Sequence, residues 1–151
     1  MRTVLISALG EWECPVLSVS GPIEAGDKAD YPLVAAEVCR RVLADRREGN
    51  GDVAGLLVCG TGQGMAMTAN AMPDIRAAVV GDCFSARMAR AHNDANVLCL
   101  GERVLGTELA GLLLEAFIHT PFEGGRHARR IGLIEVAGVA DRGRSPDAGE
   151  S

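Results

Sequence analysis

Short unbroken apolar runs alternate along this chain with stretches in which apolar residues return every three or four positions. The runs "VLSVS" (16–20), "VAGLLVC" (53–59), "IRAAVV" (75–80) and "NVLCL" (96–100) have the length and character of strands buried on both faces. The stretches between them predict helices. Asp30 can cap a helix that carries Pro32 in its first turn and Val34, Val38 and Val42 on one face. Residues 64–72, 84–91, 108–119 and 126–139 supply further helices. Such alternation implies a parallel sheet covered on both sides, a doubly wound, Rossmann-like three-layer α/β domain. In sheets of this kind ligands sit at the carboxyl ends of strands, and Cys59 is at one.

The periodicity fades after residue 139. Residues 140–151, "ADRGRSPDAGES", are rich in Gly, Ser, Pro and charge and are expected to form a mobile tail behind a single domain over 1–139. A length of 151 residues with 48% hydrophobic content and five aromatic residues supports one aliphatic core. No apolar run reaches the roughly 18 residues that span a membrane, and the amino terminus lacks a secretory pattern, so a soluble cytoplasmic protein is expected. A net charge of -5 argues against non-specific nucleic-acid binding, which needs a basic surface. Cys14, Cys39, Cys59, Cys83 and Cys99 are odd in number and show no C-x-x-C pair, which indicates neither a disulfide framework nor a structural metal.

Three stretches carry candidate chemistry. In "VCGTGQGM" (58–65) a thiol ends an apolar run, and Gly60, Gly62 and Gly64 follow at every second position. Glycines so placed suit a backbone that approaches a ligand closely or turns through positive φ. Neither phosphate-loop pattern fits: no lysine follows Gly64 as a Walker loop requires, and Met65 stands where a dinucleotide loop needs its last glycine. What remains is strand, thiol, tight loop and helix N-terminus, an environment that favours an anion and a thiolate. The plainer reading of Cys59 is a small buried hydrophobe.

In "SARMARAHNDANVLCLGERVLG" (85–106) the helix ends near His92, and Asn93 with Asp94 makes a turn before the next strand. A histidine at an element boundary is a candidate proton carrier, or a helix-end residue that meets the dipole. Arg103 follows that strand as an anion ligand or as a solvated surface residue. In "FEGGRHARRIGLIEV" (122–136) Arg126 and Arg130 stand four apart on one helix face, a fork suited to a phosphate dianion or simply a charged outer face. Arg129 and His127 point elsewhere.

Together "GLLVCGTGQGMAMTAN", "IRAAVV", "SARMARAHNDANVLCLGERVLG" and "FEGGRH" resemble the ribose-5-phosphate isomerase B family, which also contains galactose-6-phosphate and allose-6-phosphate isomerases. "DYPLVAAEV" matches the family's second helix, and the resemblance covers about residues 14–139. It implies metal-free and cofactor-free interconversion of aldose and ketose phosphates through an enediolate. By position, Cys59 resembles the base that moves the proton between the first two carbons, Thr61 and the amides of the Gly loop resemble the oxyanion hole, and His92 resembles the ring-opening acid/base. Asn93 would contact sugar oxygens, while Arg103, Arg126 and Arg130 match phosphate-binding positions. The resemblance further implies a homodimer, or a dimer of dimers, in which one chain's arginines reach the other's glycine loop.

Family members begin with a strand ending in Asp-His-x-Gly, and this sequence contains no such motif. Residues 1–13 align best with the family's first helix and 16–20 with its second strand. Two readings are open: Met1 is an internal methionine of a longer reading frame, or residues 3–8, "TVLISA", serve as a replacement strand. On the first reading the chain as it stands is expected to be inactive or nearly so. Two functions follow, a sugar-phosphate isomerase or a non-catalytic phosphosugar-binding subunit. Cys59, Thr61, His92 and Arg126 together favour the isomerase. Five-carbon, six-carbon and four-carbon phosphates all fit this reading.

Overall fold

The computed structural model describes residues 1–21, 29–50 and 52–142. In chain order the elements are α1 (Arg2–Glu11), α2 (Tyr31–Arg47), β1 (Gly55–Cys59), α3 (Gln63–Asn70), β2 (Ala77–Val79), α4 (Cys83–Ala91), β3 (Val97–Gly101), α5 (Thr107–Ile118) and α6 (Arg126–Arg142). The strands make one parallel sheet in the order β1-β3-β2. Gly55 stands opposite Val97 and Cys59 opposite Gly101, while Ala77 pairs with Val97 from the other side.

β3 is the central strand, and all five of its residues are buried. Because side chains alternate across a strand, β3 feeds two separate cores. Leu98 and Leu100 pack with Leu5 of α1, Ala86 and Ala89 of α4, and Leu113, Leu114 and Phe117 of α5. Val97 and Cys99 face the opposite side, against Ala35 and Cys39 of α2, Leu57 of β1, and Met65, Ala66 and Ala69 of α3. This is the doubly wound arrangement expected from the alternating pattern. On α2 the fully buried positions are Ala35, Cys39 and Val42, with Val34 and Val38 on the margin of the same core. Asp30 takes the N-cap position through its backbone, and its side chain makes no capping bond.

The amino-terminal region departs from expectation in two places. Residues 3–8 lie in α1, so they do not form a replacement strand. Met1, Leu5, Leu9 and Trp12 recur at helical spacing and all meet the core built on α5, a stronger determinant than the β-branched content of the stretch. Leu5 has no exposed surface. Leu5→Ala should therefore cost about 2–5 kcal/mol, read as a lower urea midpoint with an unchanged slope.

Residues 16–20 form no strand. Val16, Leu17 and Val19 are 41%, 62% and 54% exposed. A strand persists by pairing its backbone groups, and among the described residues no strand pairs with the outer edge of β1. At the other end, α6 continues to Arg142, past the expected boundary at 139. The remainder of the expected tail, 143–151, lies outside the described residues. Among the described residues no helix is long and apolar enough to cross a membrane.

Candidate active site

The first cluster forms where β1 ends. Cys59 is the last residue of the strand, and the chain then turns through Gly60, Thr61 and Gly62 into α3. Gly62 has φ +79, a left-handed conformation that glycine adopts without strain. A Cβ there would lie 3.2 Å from the carbonyl carbon of Leu100. The turn aims the Gly62 N–H at Cys59, which accepts it on Sγ at 3.2 Å. At Gly64 the reason for glycine is different: a Cβ would meet the Tyr31 ring at 2.6 Å. Tyr31, at the start of α2, therefore covers the loop.

β3 supplies the rest of this cluster. The Arg103 amide donates to the Gly60 carbonyl at 3.1 Å, and its side chain runs 3.5 Å from the position a Gly60 Cβ would take. A Cβ at Gly101 would meet the Thr61 backbone at 2.8 Å, so glycine is required there for the loop to cross β3. A thiol, a hydroxyl, loop amides and a guanidinium are thus gathered at the carboxyl ends of two parallel strands. That set can hold a small anion and can exchange a proton beside a developing oxyanion. The neighbouring thiols cannot share the task. Burial pushes Cys39 up to about 11 and Cys99 up to about 12, so both stay protonated at neutral pH.

The second cluster surrounds His92, which caps the C-terminus of α4. Asp94, at φ 43, locks the following turn by accepting from Arg76 at 2.7 Å and from Arg90 at 2.9 Å. Asn96 closes it, accepting from the Arg76 amide and donating to the Asp74 carbonyl, each at 2.8 Å. His92 and Asn93 therefore project from a rigid corner. Residues 124 and 125, both glycines at positive φ, bring α6 back over that corner, and the Glu123 amide bonds the Ala91 carbonyl at 3.0 Å.

This return produces a contact that sequence patterning misses. His127 does not point away from Arg126, whose Nε donates to His127 Nε2 at 3.4 Å; the ring turns inward and stacks on His92 at 4.1 Å between centroids and 5° between planes. Glu123 Oε2 lies 3.7 Å from His92 Nε2 and 3.6 Å from His127 Nε2. Burial, with His92 and Arg126 alongside, lowers the pKa of His127. Arg126 and Arg130 occupy the first turn and a half of α6 with exposed side chains.

The two clusters belong to opposite ends of the sheet. Cys59 and Arg103 follow the carboxyl ends of β1 and β3, whereas His92 and Asn93 precede the amino end of β3. Four residue steps along β3 span about 13 Å. Within one chain, then, the thiol loop and the histidine corner are separated by about the length of β3.

The family described as Ribose/Galactose Isomerase matches residues 1–134. The chain is 40% identical over 110 residues to ribose-5-phosphate isomerase B of Escherichia coli (strain K12), which covers 73% of this chain and 70% of that protein. It is 38% identical over 134 residues to the probable ribose-5-phosphate isomerase B of Mycoplasma pneumoniae (strain ATCC 29342 / M129 / Subtype 1), covering 89% and 84%. Among solved structures, a type B ribose 5-phosphate isomerase of Trypanosoma cruzi superposes with a TM-score of 0.81 at 37% identity, over 93% of this chain and 89% of that one. A match across both clusters, in sequence and in backbone, leaves one conclusion: the chain belongs to the ribose/galactose isomerase family and is an aldose–ketose isomerase.

Proposed function

We propose that the protein interconverts ribose 5-phosphate and ribulose 5-phosphate through an enediolate, with no metal or cofactor in the reaction. The observation that carries this reading is the Cys59 loop, where a thiol sits beside backbone N–H groups and Arg103. Cys59, as thiolate, removes the proton from C2 of the open aldose and returns it to C1, while the hydroxyl proton on O2 passes to O1 and leaves the ketone at C2. Thr61 and the amides of the glycine loop hold the oxyanion that develops at O1 as the C2 proton leaves. Preorganised donors of this kind are usually the largest catalytic contribution. His92 opens the sugar ring by moving a proton from the anomeric hydroxyl to the ring oxygen, and Asn93 holds sugar hydroxyls. Arg103, Arg126 and Arg130 bind the phosphate, which anchors the distant reacting end.

We infer further that the working site is shared between two copies. A pentose phosphate is shorter than the separation of the two clusters, so the Cys59 loop of one chain needs the histidine corner and arginines of another. An apolar surface suited to that association exists: Leu133, Ile134 and Val136 of α6 are exposed. Five free cysteines fit a reducing compartment, the cytoplasm.

The test is direct. In a coupled assay the protein with the family's Asp-His-x-Gly strand joined before Met1 should form ribulose 5-phosphate from ribose 5-phosphate faster than it converts four-carbon or six-carbon phosphates, while the chain as it stands turns over little or none. A preference for one of those would reassign the substrate. Binding of sugar phosphates without turnover of any would return the protein to the binding-subunit reading.

A further inference from the structure

Asn93 is exposed, so the direction of its side chain is set by its backbone more than by packing. On either side of it the chain is tied to α4: the amides of His92, Asp94 and Ala95 donate to the carbonyls of Met88, Arg90 and Ala89 at 3.0, 3.0 and 2.9 Å. Asn93 is held from a separate part of the fold. Arg76, in the loop before β2 and 17 residues earlier, lays one edge of its guanidinium along the turn. Its Nε is shared between the carbonyl oxygens of Asn93 at 3.1 Å and Asp94 at 2.9 Å, and a terminal nitrogen donates to Asp94 Oδ2 at 2.7 Å. Asp94, at φ 43, keeps a left-handed conformation that its surroundings must impose on a non-glycine residue, and this grip supplies part of that constraint.

We propose that Arg76 is a positioning residue for the isomerisation, acting through Asn93. The inference rests on the contact with sugar hydroxyls proposed above for Asn93. A guanidinium suits this task because its planar edge reaches two backbone carbonyls and a carboxylate at once, whereas a lysine offers one compact charge. The duty is separable from folding. Residue 76 is also pinned through its backbone, where its amide donates to Asn96 Oδ1 at 2.8 Å and its carbonyl accepts from the Asn96 amide at 3.0 Å. Arg90 keeps its own bonds to Asp94 Oδ1 at 2.9 Å and to the Ala95 carbonyl at 2.7 Å. Loss of the Arg76 guanidinium therefore leaves β2 on β3 and the turn on α4, and frees the peptide that aims Asn93 at the sugar.

A double-mutant cycle on ribose 5-phosphate turnover tests this, with every protein carrying the Asp-His-x-Gly strand before Met1. Arg76→Lys, which keeps a cation beside Asp94, should lower kcat/KM by about 10- to 100-fold. The loss should divide between kcat and KM as it does in Asn93→Ala, with unfolding still cooperative. Arg76→Ala, which removes the whole edge, should repeat the pattern. Either change combined with Asn93→Ala should be no worse than Asn93→Ala alone, to within about twofold, because a residue that acts through Asn93 then has nothing left to position. Unchanged turnover in both Arg76 variants, or losses that multiply in the double variants, would overturn the proposal and leave the role of Asn93 standing. An Asn93→Ala variant as fast as its parent would instead remove the sugar contact from Asn93, and the role of Arg76 with it.

Discussion

Replacing Cys59 by serine should lower the isomerase rate by about two to four orders of magnitude with little change in the midpoint of thermal unfolding. The rate falls because a hydroxyl has a far higher pKa than a thiol and supplies almost no anion at neutral pH. The fold survives because the structural duty of Sγ is to accept the Gly62 N–H at 3.2 Å, which an oxygen performs as well. No other thiol can substitute. Cys99, across the β1–β3 pair, is held protonated up to about pH 12 by burial. The measurement is turnover of ribose 5-phosphate by the variant and its parent, both carrying the Asp-His-x-Gly strand before Met1, with unfolding followed in parallel. Equal turnover would remove the proposed base.

The second expectation concerns two crippled proteins that repair each other. Cys59→Ser loses the base and His92→Asn loses the ring-opening acid, so each alone should turn over at about 1% of the parent rate or less. Mixed in equal amounts and allowed to exchange subunits, they should recover about a quarter of parent activity. Random pairing makes about half of the dimers mixed, and each mixed dimer has one site with both groups intact and one with neither. The geometry behind this is the placement of Cys59 at the carboxyl end of β1 and of His92 before the amino end of β3. If both groups served the same site from one chain, mixing would restore nothing.

Much of this arrangement is legible in the amino-acid sequence because it is local. The thiol, the glycine turn and the helix that follows are consecutive residues, and their backbone requirements are written in residue type. The strand at 96–100 is visible as an apolar run because β3 is covered on both faces. The start of α2 is visible for a complementary reason, a capping position, an early proline and apolar residues at helical spacing. What escapes such reading depends on residues distant along the chain. Tyr31 lies over Gly64 because α2 and α3 pack together, and nothing near residue 31 signals a loop partner. Helical spacing turns His127 away from Arg126 and Arg130, whereas the tether from Glu123 to Ala91 brings its ring onto His92 and within reach of Arg126 Nε. The strand expected at 16–20 fails for a related reason. Apolar character makes a segment able to pair, but the partner is supplied from elsewhere.

The outer edge of β1 has a consequence for how the protein behaves in bulk. Among the described residues no strand pairs with it, and an open edge is a template on which another strand can grow. Two modes of self-association then compete. Pairing by the same surface on both copies closes after two, whereas a strand added to an open edge presents a fresh edge of its own and does not close. The first gives a catalyst of fixed size and the second gives a fibre. Whatever covers the β1 edge thus sets the concentration at which this protein can be kept in solution.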